Sequence, residues 1–399
     1  MNLLFLTLLD FNSLDESNIY TDLLREFVKR GHRVYVISPV ERCKKQKTVL
    51  KKERNVTILK LRIGNMQKIN FIEKGISTLL IENLFVAGIK KYFSDIRFDL
   101  VLYATPPITF YKAIAYVKER DKAKTYLMLK DIFPQNAVDL GVLKKTGLKG
   151  ILYQYFRRKE KNLYAISDKI GCMSQANVDY VLKHNSEIKK EKVEICPNSI
   201  EVIDRSVSDE EKRAIRKKNG IPNDRIVFVY GGNLGKPQGI DFLIECLKKE
   251  KENQKVFFLI VGSGTEYGKI KDFIKKEKPG NVMLMKQLPK EDYDRIVGSC
   301  DVGMIFLDHR FTIPNFPSRL LSYMQAKMPV LAVTDPHTDI GKVIVEGGFG
   351  WWCESNSGDK FKKIVKEISK SNFGEKGENA YAYLIQNYNV ADEYQNIAL

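Results

Sequence analysis

The sequence lacks any apolar run long enough to cross a membrane. A membrane-spanning helix needs about 20 consecutive apolar residues, whereas the first apolar run, Leu3 to Leu9, has seven residues and no basic segment before it. A secretory signal peptide needs such a basic segment and a cleavage site. We therefore expect neither a membrane span nor a signal peptide, and interpret the first run as a buried strand.

Cysteine and histidine are scarce and dispersed. The six cysteines form no CxxC pair and have no histidine partners nearby in sequence, and the four histidines are isolated. Metal sites built by a protein need clusters of such residues, and disulfides are rare in the cytosol. We therefore expect no metal site, and reduced core cysteines in a cytoplasmic protein. The cysteines are Cys43, Cys172, Cys196, Cys246, Cys300 and Cys353.

Positive charge is concentrated in the first half of the chain. Residues 1–200 carry 36 Lys and Arg against 21 Asp and Glu, a net charge of +15, whereas residues 201–399 carry 30 against 28, a net charge of +2. A basic surface suits an anionic membrane, a nucleic acid or a phosphorylated substrate; a merely solubilising surface is the alternative. Nucleic acid is disfavoured, because the charge is dispersed and no recognised nucleic-acid module is present.

Short apolar runs alternate with helical patterns in two separate blocks. The runs are almost continuously apolar, as is typical of parallel strands that are buried on both faces. This pattern predicts an α/β protein with two Rossmann-like sheets. The predicted strands are Leu3–Leu9, Arg33–Ser38, Val56–Leu61, Asp99–Ala104, Lys124–Leu129, Lys169–Ser174, Val193–Cys196, Ile226–Tyr230, Val256–Val261, Val282–Met285, Val302–Leu307, Val330–Val333 and Gly350–Cys353.

The two blocks define the expected domains. We place the boundary near Pro197–Asp204, so that the domains are 1–200 and 201–380. The last segment, 381–399, is amphipathic and rich in tyrosine, and no strand follows it. It is expected to pack back on the N-terminal domain.

Three turns in the second block suit an anionic ligand. The strand ending at Tyr230 runs into the glycine-rich turn Gly231–Gly239, where a ligand can approach the backbone at the start of a helix. Pro317 and Pro329 frame a predicted helix of about three turns, with Arg319 near its start. The turn Val261–Gly264 also follows a strand, where open α/β sheets bind ligands. Any α/β domain contains one such turn, but three together favour a phosphate-bearing ligand.

The order of these motifs resembles the retaining glycosyltransferases of family 4, which have the GT-B fold. The resemblance covers essentially the whole chain, and it is similar in particular to the bacterial subgroup that adds amino-deoxy sugars, such as N-acetylfucosamine, to capsule or O-antigen precursors. The segments that carry it are Asn2–Leu8, Leu24–Pro39, Asp131–Gln135, Cys196–Ser199, Gly232–Gly239 and Pro317–Pro329.

The resemblance implies two Rossmann-like domains that face each other across a cleft holding the active site. A UDP-sugar would bind the C-terminal domain, and the acceptor would be a polyprenyl-diphosphate-linked saccharide at the inner face of the cytoplasmic membrane. Lys236, Arg319 and the amides of Ser318–Leu320 would stabilise the departing diphosphate, and Asp131 would orient the acceptor or the donor sugar. No metal or tightly bound cofactor is implied. The donor contacts are Gly232, Asn233, Gln238, Gly262, Ser263, Gln287, Leu288, Pro317, Ser318, Leu320 and Ser322.

The sequence departs from the family pattern at four positions. Asn233 and Gln238 stand where most members have an Arg and a Lys, and Pro314 and Ser322 stand where they have two glutamates. A serine hydroxyl would hold the ribose more weakly than a carboxylate does. A catalytically silent GT-B subunit therefore stays an alternative. A GT-B UDP-sugar 2-epimerase is another, although the few histidines at strand ends disfavour it.

Acceptor contacts are less defined than donor contacts. Asp131 is equally suited to capping a helix before Ile132, and the first loop, Asp10–Asn18, is a weaker candidate for acceptor contacts. The segment Ile151–Tyr164 mixes aromatic and basic residues, which is typical of a surface in the lipid headgroup region. Core aromatics with a solvated basic edge would give the same pattern.

Overall fold

The computed structural model describes residues 1–10, 12–65 and 71–398, without the side chains of residues 71–79. The chain divides into two compact units. The N-terminal unit is Met1–Asn198 together with Val390–Leu399, and the C-terminal unit is Ser199–Asn389. None of the helices in the described ranges combines the length and apolar character that a membrane crossing requires.

Each unit is built on a mainly parallel sheet, and every strand except β3 corresponds to a predicted apolar run. The strands are β1 Asn2–Leu6, β2 Arg33–Glu41, β3 Val49–Glu53, β4 Val56–Ile63, β5 Leu100–Ala104, β6 Lys124–Leu129, β7 Lys169–Cys172, β8 Val193–Ile195, β9 Ile226–Asn233, β10 Val256–Ser263, β11 Val282–Lys286, β12 Val302–Phe306, β13 Val330–Thr334 and β14 Gly350–Glu354.

Helices connect these strands. They are α1 Ile19–Lys29, α2 Phe71–Tyr92, α3 Tyr111–Asp121, α4 Gln135–Asp139, α5 Gly147–Ile166, α6 Gln175–His184, α7 Asp209–Lys218, α8 Ile240–Glu250, α9 Tyr267–Glu277, α10 Lys290–Gly298, α11 Arg319–Gln325, α12 Ile340–Glu346, α13 Gly358–Ile368, α14 Phe373–Asn387 and α15 Val390–Ala398.

The N-terminal sheet has eight strands in the order β3-β4-β2-β1-β5-β6-β7-β8. All neighbours are parallel except β3, which pairs antiparallel with β4 at the edge. The strand order reverses between β1 and β5. In open α/β sheets such a reversal opens a crevice at the carboxyl ends of the strands, where ligands bind.

The C-terminal sheet has six parallel strands in the order β11-β10-β9-β12-β13-β14. Here the order reverses between β9 and β12, so that the carboxyl end of β9 lies at the switch point. The side chains of Phe228, Tyr230, Phe258 and Phe306 are buried in the core beneath it. The glycine-rich turn thus extends from the most enclosed part of this sheet.

Several elements differ from the sequence-based expectation. The strand β3 was not predicted, because its lysine-rich sequence lacks an apolar run. The helix expected between Pro317 and Pro329 is only α11, seven residues long, or about two turns. Cys43 is exposed, whereas the other five cysteines are buried and all six are free.

The segment 381–399 is not one helix. Helix α14 runs across position 380 and belongs to the C-terminal unit, and the division between the units falls before Val390. Helix α15 packs on α1 of the N-terminal unit, where the rings of Tyr394 and Phe27 meet edge to face with centroids 4.8 Å apart. The Tyr394 hydroxyl also lies 2.7 Å from His32 Nε2.

Candidate functional site

The carboxyl end of β9 carries the glycine-rich turn. Gly232 has φ +118°, a backbone conformation that L side chains rarely adopt. At Gly231 an added Cβ would lie 1.9 Å from Tyr293 Oη, because that tyrosine lies directly over the strand. The fold itself therefore needs both glycines, and the argument for a ligand must rest on the neighbouring side chains.

Arg319 supplies that argument. Its guanidinium stacks on the ring of Tyr230, with Cζ 4.5 Å from the ring centroid, and lies 3.7 Å from where a Cβ on Gly232 would be. Its Nη1 is shielded from solvent and has no hydrogen-bond partner among the described residues. A buried charged donor without an acceptor is costly. An anion at the open side of Gly232 would satisfy it.

The surrounding tyrosines leave the charge of Arg319 uncompensated. Burial raises the pKa of Tyr293 to about 12, although the nearby Arg319 partly opposes this shift. Burial likewise raises the pKa of Tyr230. Both hydroxyls are therefore neutral at physiological pH, and none of the described carboxylates forms an ion pair with Arg319. The site therefore carries the positive charge of Arg319 beside the aromatic rings of Tyr230 and Tyr293.

The side chains of Asn233 and Gln238 form a hydrogen bond with each other across the glycine-rich turn. Asn233 Nδ2 donates to Gln238 Oε1 at 3.1 Å, and the same oxygen accepts the Gly235 amide at 3.1 Å. These residues therefore shape the turn and do not replace the charge of the family's Arg and Lys. Lys236 is exposed in the short 3₁₀ turn Lys236–Gln238, with no ion pair to a described residue. Its ammonium group can reach a ligand above the turn.

The predicted nucleoside contacts adjoin this turn. Gly262 and Ser263 on β10 pair with Gly232 and Asn233 on β9. A Cβ on Gly262 would lie 1.9 Å from the Gly232 carbonyl oxygen, so this close approach requires glycine.

The exposed Ser263 hydroxyl donates to Gln287 Oε1 at 2.7 Å, and Leu288, next in the chain, is half-buried. Candidates from three neighbouring strands, β9, β10 and β11, thus meet at one sheet edge.

The start of α11 offers a ligand fewer contacts than the sequence analysis predicts. The Leu320 amide donates to the Pro317 carbonyl at 3.3 Å, and the Leu320 side chain is fully buried. Leu320 therefore offers a ligand neither a side chain nor a free amide. Ser318 is exposed and Ser322 is half-buried, so both hydroxyls can still make contacts. Of this segment, Arg319 is the residue that points at the glycine-rich turn.

Two features of the site were missed by sequence reasoning. Tyr323 Oη accepts the Gly231 amide at 3.2 Å and lies 3.1 Å from the Met304 carbonyl, which ties α11 to β9 and β12. Asp308, just after β12, donates its amide to Pro237 O at 3.0 Å, and its carboxylate accepts three hydrogen bonds from Arg310, two from the guanidinium and one from the amide. The place of Asp308 near the turn could have been predicted from the sequence, because residues that follow neighbouring parallel strands lie at the same edge of a sheet. The tyrosine contacts carried no sequence signal.

Asp131 lies just after β6 in the N-terminal unit. Asn136 Nδ2 donates to its Oδ2 at 2.6 Å, and the Thr105 hydroxyl contacts its backbone. Burial raises the pKa of Asp131 to about 6, and the charge of Glu160 adds to this, whereas the hydrogen bonds oppose it. The helix-cap alternative is not realised in α4, whose cap position is Pro134.

Helix α5 presents an exposed apolar stripe made of Leu148, Ile151 and Tyr155. Their exposed fractions are 88%, 70% and 38%, and their spacing of three and four residues places them on one helix face. The stripe begins earlier than the predicted segment Ile151–Tyr164. Tyr164 is buried, which agrees with the alternative of core aromatics for that end of the segment.

The basic residues around the stripe divide into two groups. Arg157, Lys159 and Lys161 form ion pairs with Glu160, Glu82 and Glu187. Other basic residues near the stripe are exposed and form no ion pair with a described residue; these are Lys144, Lys145, Lys149 and Arg158. The second group leaves the helix start positively charged.

No three His, Cys, Asp or Glu side chains converge as a possible metal-binding group in the described part of the chain. An anionic ligand beside Arg319 would meet organic cations and backbone donors. Lys236, Arg319 and the turn amides are the groups available for that in the C-terminal unit.

Both halves of the chain match models of known protein families. Residues 17–202 match the family model Glycosyltransferase Family 4, and residues 211–387 match Glycosyl transferases group 1. The Probable glycosyltransferase WbjE of Pseudomonas aeruginosa is 26% identical over 298 residues, which cover 73% of this chain and 71% of WbjE.

Two solved structures share the fold along the whole chain. WaaG, a glycosyltransferase involved in lipopolysaccharide biosynthesis, aligns with a TM-score of 0.67 and 15% identity over 99% of both chains. HepE of Anabaena in complex with UDP aligns with a TM-score of 0.67 and 15% identity, over 100% of this chain and 98% of HepE. The chain is thus a glycosyltransferase with the GT-B fold, in which a family 4 domain precedes a group 1 glycosyl transferase domain.

Proposed function

We propose that this glycosyltransferase moves a sugar from a UDP-sugar, with retention of anomeric configuration, onto a polyprenyl-diphosphate-linked saccharide in capsule or O-antigen synthesis. The observation that supports the binding of a UDP-sugar donor is the unpaired Arg319 Nη1 beside Gly232. The sugar that we propose is an N-acetylated amino-deoxy sugar such as N-acetylfucosamine. This choice rests on the resemblance of Gly232–Gly239, Asp131–Gln135 and Pro317–Arg319 to that subgroup.

The chemistry of the donor site follows from charge. Departure of a nucleoside diphosphate builds negative charge on the leaving oxygen, and a fixed cation in a water-poor site stabilises it most effectively. Arg319 is held by its stack on Tyr230 and needs little reorganisation, while Lys236 adds a mobile charge. Ser263, Gln287 and Leu288 are the proposed nucleoside contacts. The complex of HepE with UDP supports uridine as the nucleoside.

The acceptor half rests on the N-terminal unit. We assign the acceptor hydroxyl to Asp131, which follows β6 at the carboxyl edge of the sheet and whose pKa is raised by burial to about 6. Ionised Asp131 would orient that hydroxyl or accept its proton. The role of WaaG in lipopolysaccharide biosynthesis supports a glycan acceptor of the cell envelope.

We further propose that the protein is cytoplasmic and peripheral on the inner face of the membrane. The apolar stripe and the cationic Lys144, Lys145, Lys149 and Arg158 form an amphipathic surface, and such surfaces insert shallowly between anionic headgroups. This location would bring the enzyme to an acceptor whose lipid stays in the bilayer.

Thermal unfolding of the purified protein with UDP, GDP, TDP or no nucleotide tests the donor proposal. A ligand at about 100 times its dissociation constant adds roughly 2.7 kcal/mol to the unit that it binds. We expect selective stabilisation by UDP. A melt that no nucleotide changes would contradict the proposal.

That outcome would favour a catalytically silent GT-B subunit. One observation favours this second candidate: Asn233 and Gln238 are bonded to each other where the family has cations. A 2-epimerase is less well supported, because the carboxylate of Asp308, whose amide contacts the turn segment, is paired with Arg310. Conversion of a UDP-sugar to the UDP-sugar epimeric at C2, without an acceptor, would identify that activity.

A further inference from the structure

Asp131 is held at its backbone by the neighbouring strand. The Thr105 hydroxyl, just after β5, accepts the backbone amides of Lys130 and Asp131 at 3.1 and 3.2 Å and donates to the Asp131 carbonyl at 3.0 Å. Thr105 is itself buried. The main chain after β6 is therefore fixed, and the freedom that Asp131 keeps is rotation of its side chain.

Asn136 restrains that rotation. From the second residue of α4, its Nδ2 donates to Asp131 Oδ2 at 2.6 Å. Its backbone amide donates to the Ile132 carbonyl at 3.0 Å, which fixes the base of the side chain. Asn136 Oδ1 is shielded from solvent and has no hydrogen-bond partner among the described residues. Within that part of the chain, the Asn136 side chain is therefore bonded to Asp131 alone.

The bond from Asn136 differs from the ordinary structural use of an asparagine. Most side-chain hydrogen bonds in proteins go to backbone groups or water. Asn185 Nδ2 donates to the Val181 carbonyl at 2.7 Å and Asn281 Nδ2 to the Glu250 carbonyl at 2.8 Å, and both bonds brace the backbone. Asn136 donates to a carboxylate instead. A hydrogen bond to an ionised carboxylate is stronger than one between neutral groups, so this bond favours the ionised form.

Burial opposes the ionisation of Asp131. It raises the pKa of Asp131 to about 6, and the negative charge of Glu160 on α5 acts in the same direction. The hydrogen bonds from the Ile132 amide and from Asn136 act against both and lower the pKa. The protonation state of the carboxylate is therefore decided by a balance between its surroundings and two amide donors.

The described cations near Asp131 are engaged elsewhere. Arg157, on α5, pairs with Glu160. The ammonium group of Lys130, next to Asp131 in the chain, lies 3.8 Å from the Glu393 carboxylate. None of the described cations forms an ion pair with Asp131. The two amide donors, and not a positive charge, therefore favour its ionised form.

We propose that Asn136 is the positioning residue of the acceptor site, because its amide holds the Asp131 carboxylate ionised and in one orientation to receive the acceptor hydroxyl. The inference rests on the proposed function, in which Asp131 binds that hydroxyl. The Ile132 amide belongs to the backbone and stays in every variant. Asn136 is therefore the donor that a substitution can remove.

Titration of Asp131 by nuclear magnetic resonance tests the inference without a substrate. The full chain is labelled at its aspartate carboxyl carbons, and the Asp131 signal is identified by its absence from Asp131→Asn. In Asn136→Ala we expect the midpoint of this signal to rise by about one pH unit, because a hydrogen bond to a charged group stabilises the ionised form by at least that amount. An unmoved midpoint would overturn the proposal.

The matched control is Gln135→Ala. Gln135 Nε2 donates to Asp139 Oδ1 at 2.6 Å, so this variant loses the same kind of amide-to-carboxylate bond from the same helix. The Asp131 midpoint should stay at the wild-type value. A shift as large as that in Asn136→Ala would mean that loosening of α4, and not the lost donor, moves the titration, and the proposal would fail.

Glu160→Gln tests the other side of the balance. The substitution removes the negative charge and keeps an oxygen that can accept from Arg157, so the Asp131 midpoint should fall. General loosening would admit water and lower the midpoint in every variant, because burial is what raises it. Opposite shifts in Asn136→Ala and Glu160→Gln therefore support the proposal, and a fall in both contradicts it.

Turnover separates this inference from the proposed function. In a transfer assay, the pH midpoint of kcat/KM should follow the Asp131 signal upward in Asn136→Ala, and the deficit should shrink well above both midpoints, where the carboxylate is ionised without the amide. If Asp131→Asn turns over like wild type, the acceptor role of Asp131 fails and takes this inference with it. If Asp131→Asn is inactive and Asn136→Ala leaves the midpoint unmoved, only the positioning role fails.

Discussion

Arg319 has an aromatic stacking partner and no counter-ion among the residues that the structure describes, which makes its affinity for an anion testable. Arg319→Met keeps the bulk on Tyr230 and removes the charge. A hydrogen bond to a charged group contributes about 1.5–3 kcal/mol, so we expect UDP to bind more than about tenfold more weakly, as measured by calorimetry.

The control is Arg319→Lys, which keeps the charge and loses the planar donor pair. We expect it to fall between wild type and Arg319→Met. If Arg319→Met binds UDP as tightly as wild type, the guanidinium does not contact the diphosphate.

Asp131 should make both stability and activity depend on pH. Its pKa in the folded protein is raised to about 6, above the ordinary value of about 3.9. The folded state therefore holds the proton more tightly, and the stability that this gives is lost as pH rises between these two values. The difference in free energy of unfolding between wild type and Asp131→Asn, measured with urea at several pH values, should therefore shift against wild type as pH rises between these values, because Glu160, Glu250 and Asp335 titrate in both proteins.

Turnover should depend on pH in the opposite direction. If ionised Asp131 orients the acceptor, kcat/KM of wild type should rise with a midpoint near pH 6, and a folded Asp131→Asn should turn over far more slowly without that inflection. Near-wild-type turnover by this variant would exclude the proposed role.

Residue identity alone indicated some of these contacts and not others. Arg319 was predictable because a cation near a proline-framed helix start, in a domain with a glycine-rich turn, has few other uses. The contact of Tyr293 with Gly231 was not predictable, since it depends on how α10 packs over β9. The ion pairs of Lys44 and Lys60 with Asp10 join residues far apart in sequence, and charge counts cannot reveal them.

At the scale of one element, helix α5 is expected to hold the protein on a membrane surface. Leu148→Ser/Ile151→Ser removes the two most exposed apolar side chains of the stripe. Full burial of one such side chain contributes roughly 1.5–3 kcal/mol. Without these two side chains, binding to vesicles with anionic lipid should fall at least about tenfold in sedimentation.

The chain offers a matched control in the C-terminal unit. Val345 and Ile385 have exposed fractions of 53% and 45%, and Val345→Ser/Ile385→Ser should leave vesicle binding unchanged. Equal loss in both double variants would mean that general surface hydrophobicity, and not α5, causes binding. No difference between anionic and neutral lipid would remove the membrane proposal.

Elements with a strong local pattern were predictable, and those that depend on a neighbour were not. The strand β6 has the predicted bounds Lys124–Leu129, because its apolar run Tyr126–Leu129 is buried on both faces and only its first residue, Lys124, is exposed. The strand β3 is held by its ladder with β4, and its own sequence gives it no apolar face. Helix α11 is shorter than its flanking prolines suggest because it begins only at Arg319 and ends at Gln325, and Lys327 already has φ +50°.

At the scale of the whole molecule, the strand–helix alternation predicted two units because each sheet buries its own apolar strands. It did not predict which part of the C-terminal segment packs back on the N-terminal unit. The tyrosines of 381–399 gave one amphipathic pattern, but Tyr388 is buried with Phe316 in the C-terminal unit, whereas Tyr394 packs on Phe27 in the N-terminal unit. Two helices with similar composition thus belong to different units, and only their packing partners separate them.

This division makes the two units separately testable. Truncation after Asn389 removes α15 and with it Glu393, whose carboxylate lies 3.8 Å from the buried Lys130 ammonium. Removing one partner of a buried ion pair costs about 3–5 kcal/mol, and the contacts of Tyr394 are lost as well. In calorimetry the N-terminal unit should therefore unfold at lower temperature.

UDP should still raise the melting temperature of the C-terminal unit in the truncated chain, because Arg319, Gly232 and the strands around them lie outside α15. Glu393→Gln is the control that keeps the helix and removes only the charge, and it should reproduce part of the loss. If truncation instead lowers the UDP-responsive transition, α15 supports the donor unit and the assignment of the helix to the N-terminal unit fails.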